Sequence, residues 1–450
     1  MHSTAKEVKV LSWRTVESRM MRILGLVMVA LLALGGCATT PQTGQGPAAV
    51  TQGKAGGEAP IVLLIGIDGL RWDAIDRNPA PTLRAWAKHG VRAQGLIPVM
   101  PSVTFVNFYS IATGLYANHT GVVSNATYSR KLKRIMERQT HGESVWWGGE
   151  PIWVTAEKQG ITTAAMFWLG SEARIAGKRP TYWYPYQHNK PKPERVQQIL
   201  DWLAMPEAKR PHLLTLYFSD VDTAEHRYGP ETPEEAFAIA DVDRNLAQLK
   251  AGIKALGLQN RVNIIVVSDH GMTKVKPEPM IYLDDYINLD EVMVPKFVSI
   301  NGPSGGPFVH IFVKNPANID RIYHQLADAN PHLRVYRREH LPKRWHLNNA
   351  DRTGDIFAVA ESGYLVFARG LKSKYPNLPK GMHGYDRHGH DMYGSFIADG
   401  PAFRDGVLAE PFDNVNVYGL IADILHIKPA KNDGDLNAVD YILKNQAAVK

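Results

Sequence analysis

The sequence predicts an α/β fold, a parallel-type sheet covered on both faces by helices, and three observations carry that prediction. Apolar runs that read as buried strands recur along the chain: "IVLLIGI" (61–67), "TAAMFW" (163–168), "LLTLYF" (213–218), "NIIVVS" (263–268) and "SFIA" (395–398). Their hydrophobicity is continuous rather than alternating, as expected of strands buried on both faces. Helical patterns separate them, the alternation that builds parallel sheets. At 450 residues, 44% of them hydrophobic, the chain can bury one large core with an insertion beside it.

In chain order, Ile23 to Leu34, "ILGLVMVALLAL", is an apolar run preceded by Arg19 and Arg22. It is too short for a comfortable membrane span and suits the core of a signal peptide. "LGGC" follows at once and ends in Cys37, the only cysteine, so an intramolecular disulfide is excluded. The run and the cysteine together resemble the lipobox of bacterial lipoproteins; the alternative is a plain signal peptide with an incidental cysteine. The resemblance implies a signal peptide over residues 1–36, a lipid on Cys37 and a place in the cell envelope. Ala38 after the cysteine resembles sorting to the periplasmic face of the outer membrane if the source is Gram-negative. Residues 37–60, rich in Gly, Pro, Thr, Gln and Ala, read as a solvated tether of roughly 25 Å.

The folded domain is expected from Ile61 to about residue 445. A helical pattern opens at Thr104, runs to about Ala112 and stops at Gly114. The clearest helix is expected from Pro233 to Leu256, with Thr232 as N-cap, Glu235 closing a capping box and Gly257 ending it. From about 282 to 369 the texture changes to "FVHIFV", a helix near 319–329, "LRVYRR" and "GYLVFA", which reads as a small α+β insertion lobe. The net charge of +7 suits an anionic lipid or a phosphorylated substrate. No basic run is interleaved with aromatics, so a stable nucleic-acid complex is not expected.

The chemistry-bearing residues gather where the apolar runs end. "LIGIDG" ends in Asp68, "LYFSDVDTAEHRYGP" continues to Asp222 and His226, "VVSDHG" ends in Asp269 and His270, and "GMHGYD" carries His383 ahead of "SFIA". Singly, each reads as turn chemistry, and the Asp222/His226 stretch reads as a loop. Together they invite convergence, because open α/β sheets collect ligands at the carboxyl ends of their strands. Carboxylate plus imidazole without thiolate suits zinc, with manganese or iron as alternatives. Thr104 at a helix start is either a plain N-cap or a hydroxyl placed where an anion such as phosphate binds.

These motifs, with "IDGLRWD", "PSVTFVNFYSIATGLY", "VVSN", "WWGGEPIWVTAEKQG", "RPTYWYPY", "SDHGM" and "NVNVYGLIADIL", closely resemble the nucleotide pyrophosphatase/phosphodiesterase family of the alkaline phosphatase superfamily. The resemblance implies an alkaline-phosphatase-like sheet sandwiched by helices and two zinc ions. One ion would lie on Asp222, His226 and His383, the other on Asp68, Thr104, Asp269 and His270. It implies hydrolysis of nucleotide phosphodiester or phosphoanhydride bonds through a phospho-threonine on Thr104, releasing a nucleoside monophosphate. Asn125 would bind a phosphate oxygen with the Thr104 N–H. Phe105 and Tyr182 would sandwich a base, with Trp146 or Trp147 behind them.

The chain departs from the family at several positions. Glu225 stands where Gly usually precedes the metal His, Val103 where Lys is frequent, Val106 where Pro is usual and Thr120 where His is common. His388 and His390 are read as loop residues. Two other readings remain open: a phosphate monoesterase of the same superfamily, and a lipid-anchored binding protein without catalysis, the second disfavoured by the intact Thr104.

Overall fold

The computed structural model describes residues 59–295, 298–299, 302–303, 306–372 and 377–444. The expected signal peptide, Cys37 and all but the last two residues of the tether lie outside the described residues.

The central sheet has eight strands: β1 (Ile61–Ile67), β2 (Val91–Ala93), β3 (Thr163–Met166), β4 (Tyr182–Trp183), β5 (Leu213–Phe218), β6 (Val262–Val267), β7 (Phe396–Asp399) and β8 (Val407–Ala409). Their order is β8-β2-β7-β6-β1-β5-β3-β4. β1 pairs in parallel with β5 and β6, β3 with β5 and β4, and β2 with β8. β7 is the exception to the expected parallel sheet, being antiparallel to both β6 and β2. A strand buried on both faces has the same composition in either direction, so "SFIA" could not declare its sense.

Six helices matter here: α1 (Pro81–His89), α2 (Thr104–Thr113), α3 (Lys192–Leu203), α4 (Asp220–Tyr228), α5 (Pro233–Ala255) and α6 (Val417–Ile424). The twofold alternation of β1 explains why both faces are covered. Val62 and Leu64 face a core holding Phe108 and Tyr109 of α2, while Ile61, Leu63 and Ile65 face Val196 and Trp202 of α3 and Leu246 of α5. Each fully buried Leu or Ile contributes about 1.5–3 kcal/mol. α5 begins as expected, the Glu235 N–H donating to Thr232 Oγ1 at 3.3 Å, but the Glu235 carboxylate accepts from the Glu231 N–H instead of closing back on Thr232.

Residues 282–369 contribute a four-stranded antiparallel sheet in the order Val292–Met293, Phe308–Val313, Ile356–Ala360, Leu333–Arg337, backed by the helix Ile319–Ala327. Val309, Ile311 and Ala358 pack with Ile322 and Leu326 of that helix, while Phe308 and Phe357 point the other way and join the core around α2. The chain leaves for this lobe through Thr273–Lys274 and returns through Gly381–Met382, and the two segments pair antiparallel. His310, on the same face as Phe308, is buried; its Nε2–H donates to Val123 O at 3.0 Å and its Nδ1 accepts from the Gly354 N–H at 3.3 Å.

Candidate metal centre and nucleophile

The three central strands β6, β1 and β5 end side by side, and each hands its next residues to one cluster. Asp68 follows β1, Asp269 and His270 follow β6, and α4 begins directly after β5. Backbone bonds fix the junction: Asp68 N–H donates to Phe218 O at 2.9 Å and Asp222 N–H to Asp68 O at 3.1 Å. Gly69 is required there. Its φ is +76°, and a Cβ would lie 2.9 Å from the Asp222 Cα.

The segment around Asp222 corrects the expectation of a loop. Asp220–Tyr228 is the helix α4, so Asp222 and His226 are one turn apart on the same face, His226 Nε2 lying 3.2 Å from Asp222 Oδ1. Asp222 is 4% exposed, which removes the surface-turn reading. The acidic first turn, Asp220 and Asp222, sits at the positive end of the helix, where carboxylates are favoured. His383 completes the group, its Nε2 3.2 Å from His226 Nε2 and 3.5 Å from Asp222 Oδ1. It lies just past the Gly381–Met382 strand, well ahead of β7.

The second group is Asp68, Asp269, His270 and Thr104. His270 Nε2 is 2.9 Å from Asp269 Oδ2, 3.4 Å from Asp68 Oδ1 and 3.4 Å from Thr104 Oγ1. The His270 and His383 rings stack at 3.5 Å, so the two groups share a wall. Thr104 is the first residue of α2 and Val103 is its N-cap, without a side-chain cap bond. The Thr104 hydroxyl is therefore not a helix cap.

The donor set fits a pair of divalent cations on three counts. Asp68 Oδ1, Asp222 Oδ1 and Asp269 Oδ2 are buried without a hydrogen-bond donor, a costly arrangement for carboxylates. Burial and the neighbouring Asp269 and Asp222 push the Asp68 carboxyl well above the usual range, a repulsion that a cation relieves. All three imidazoles are held through Nδ1–H by a backbone carbonyl: His226 by Gly381 O, His270 by Gly271 O and His383 by Ser102 O, each at 2.9 Å. A carbonyl can only accept, so the proton is on Nδ1 and every Nε2 lone pair is turned to the cluster. Burial pushes the His383 imidazole well below its ordinary range, in keeping with a free Nε2 lone pair.

Asn125 is held against the first turn of α2, next to Thr104. Its Oδ1 accepts from the Phe105 N–H at 2.9 Å, which commits that end of the amide and leaves Nδ2 as the donor. The Phe105 ring is partly exposed and meets His141 edge-on at 4.8 Å. His141 lies 6.3 Å from Trp147, which packs on Tyr109. His141 carried no motif and was missed by sequence reasoning.

Tyr182 is not brought to the cluster. It pairs with Ala164 in the edge strand β4, its ring stacks on Trp202 and its hydroxyl donates to Lys209 O at 3.2 Å. Lys209 precedes β5, at the amino end of the sheet, opposite the Asp/His cluster. Tyr186, the third tyrosine of "YWYPY", occupies the other end: its hydroxyl is 3.4 Å from Ser219 Oγ and its ring 5.8 Å from Tyr217, whose hydroxyl donates to Asp68. Trp146 is likewise a core residue, fully buried with the Arg134 and Arg352 guanidinium groups 5.3 Å from its ring. Val103, Val106 and Thr120 are buried, and His388 and His390 are exposed.

Glu225 is fully buried on α4 and neither carboxylate oxygen has a donor; burial, then Glu235 and Asp222, push its carboxyl well above the usual range. A cavity of about 570 Å³ lies on the lobe side of Trp147, lined by Lys131, Val145 and Arg352 among others. It contains no member of the cluster, and Arg352 already donates to Gly121 O, Trp146 O and Val145 O.

Residues 62–386 match the family model described as type I phosphodiesterase / nucleotide pyrophosphatase. The chain is 34% identical over 403 residues to a venom phosphodiesterase of Naja atra, covering 86% of this chain and 47% of that protein. It is 32% identical over 387 residues to human ectonucleotide pyrophosphatase/phosphodiesterase family member 5, covering 85% of this chain and 78% of that one. The chain thus spans about half the length of the venom relative. Among solved structures, an inactive threonine-to-alanine variant of the murine member 5 in complex with AMP superposes with a TM-score of 0.79 at 31% identity, over 86% of this chain and 100% of that one.

Proposed function

We propose, because the chain belongs to the type I phosphodiesterase / nucleotide pyrophosphatase family, that it is a zinc-dependent hydrolase of nucleotide phosphodiester or phosphoanhydride bonds. The observation that carries this reading is the set of three donor-free carboxylate oxygens and three Nδ1-tethered imidazoles packed against the Thr104 hydroxyl. Asp222, His226 and His383 would hold one ion, and Asp68, Asp269 and His270 the other. Bound there, two zinc ions supply Lewis acidity to the phosphoryl group and make a hydroxyl nucleophilic at neutral pH.

The chain's own residues do the rest. The Thr104 oxygen would attack phosphorus in line and give up its proton to solvent, while the P–O bond to the leaving group breaks with the electron pair going to that oxygen, which solvent then protonates. Water then cleaves the phospho-threonine P–O bond and restores the hydroxyl. Charge building on the phosphoryl oxygens is met by Asn125 Nδ2 and by the Thr104 N–H, which as the first helical N–H has no intrahelical acceptor. Phe105 on one side and Tyr186 on the other would hold the base. The AMP complex and the inactive threonine variant of the murine neighbour support a nucleotide substrate and a threonine nucleophile.

The reading is tested by colour release from a bis-aryl and a mono-aryl phosphate, with and without chelator. Faster turnover of the bis-aryl ester, abolished by chelator and restored by zinc, supports it; faster turnover of the monoester transfers the site to monoesterase chemistry. We also propose that Cys37 carries a lipid and holds the enzyme at an envelope membrane, at the periplasmic face of the outer membrane if the source is Gram-negative.

A further inference from the structure

Two carboxylates of the nucleophile-side group each have one oxygen pinned and one turned to the cluster, but by different means. Asp269 Oδ1 accepts from the Gly69 N–H at 3.2 Å, leaving Oδ2 to face His270, while the neighbouring Ser268 hydroxyl donates to His270 O at 2.8 Å. Asp68 Oδ2 accepts from the Tyr217 hydroxyl at 2.5 Å, while Oδ1, without a donor, faces His270 Nε2.

We propose that Tyr217 is a positioning residue for the ion held by Asp68, Asp269 and His270: by occupying Asp68 Oδ2 it makes Asp68 a ligand through one oxygen only. The inference rests on the metal-dependent reading above. Tyr217 is 6% exposed, near the end of β5 in register with Gly66. Its ring is fixed edge-on by Phe108 of α2 at 5.3 Å and by Tyr186 at 5.8 Å. A phenol clamped on two sides has one heading for its hydroxyl, and that heading is Asp68. If both Asp68 oxygens were free, the carboxylate could take two places on the ion. Held to one, the three protein ligands leave a four-coordinate ion one place, the place the Thr104 hydroxyl needs. Tyr217 also joins through its ring the helix that starts with Thr104 and the tyrosine proposed to hold the base, so the ligand, the nucleophile's helix and the base wall share one buried side chain.

The test is Tyr217→Phe in the full chain, which removes the hydroxyl and keeps the ring. Zinc is titrated against a competing chelator, and melting is followed in excess chelator and in excess zinc. We expect one of two zinc ions to bind ten-fold or more weaker, the other to bind as in wild type, and the zinc-induced rise in Tm to shrink. Both ions binding as in wild type, or an equal fall of Tm with and without zinc, would reduce Tyr217 to a packing residue and overturn the inference while leaving the site reading intact. A wild type that binds no zinc overturns both. Phe108→Leu, which loosens the ring and keeps the hydroxyl, serves if Tyr217→Phe does not fold: the same ion should weaken by a smaller factor, and an unchanged affinity counts against the proposal.

Discussion

His226 Nε2 lies 3.2 Å from Asp222 Oδ1, one turn along α4, and both point at His383. A helix offers this pairing because positions i and i+4 share a face, and the helix is held in place by its junction with β1. Asp222→Asn is therefore expected to keep the fold and lose one of two zinc ions on dialysis, with turnover falling by a factor on the order of 100. Elemental analysis that still finds two ions would remove Asp222 from the ligand set.

Thr104→Ala should retain both ions and lose nearly all turnover, because Thr104 Oγ1 is the hydroxyl placed 3.4 Å from His270 Nε2, whereas the nearby Ser102 hydroxyl is committed to Tyr385 O. Thr104→Ser should keep a measurable fraction. Retention of more than about a tenth of wild-type kcat by the alanine variant, a loss under ~1.4 kcal/mol, would place the nucleophile elsewhere. Acid quenching with labelled substrate should trap phosphate on the wild type and not on the alanine variant.

The two tyrosines make opposite predictions. Tyr186→Ala should slow nucleotide turnover about ten-fold or more and spare a small aryl diester, since base stacking is worth roughly 1–3 kcal/mol per aromatic partner. Tyr182→Ala, far from the cluster, should leave the ratio of the two substrates unchanged. Equal losses on both substrates from Tyr186→Ala would make that ring structural.

His310 gives the stability a pH dependence of its own. Burial holds its imidazole at about 4, against an ordinary 6.5, so the unfolded chain takes up the proton first. The folded state's advantage is complete above pH 6.5, declines as pH falls through the interval, and is gone below about 4, a change of roughly 3 kcal/mol. Denaturant titrations at pH 7 and pH 5 should differ more for wild type than for His310→Gln. Equal differences would mean His310 is not the group that titrates.

Cys37→Ser should move the protein from the membrane fraction to the soluble fraction with its activity retained. Wild-type protein found in the soluble fraction after signal-peptide removal would count against the anchor.

The site was legible where chemistry coincides with a strand end. Asp68, Asp269 and His270 follow apolar runs that read as buried strands, and the fold class made their convergence at the carboxyl ends of those strands an expectation, which the structure meets. The failures have physical causes. "SDVDTAEHRYGP" carries little apolar periodicity, because α4 covers a polar cluster rather than a core, and its helical state comes from docking and from acidic residues in its first turn. Tyr182 and Tyr186 sit four apart in one aromatic run, and local sequence cannot say that β4 stops at Trp183 and that the chain then carries Tyr186 to the opposite end of the sheet. β2 and β8 are three residues long, too short for periodicity to register.

The antiparallel pair Thr273–Lys274 with Gly381–Met382 is a gate through which the chain departs and comes back roughly a hundred residues later. Pairing at this neck fixes where the chain re-enters the main domain, whatever the length of chain between its two strands. Residue His383 is the first to emerge from the gate. A change of length inside the lobe therefore leaves the emerging imidazole at its station beside Asp222 and His226.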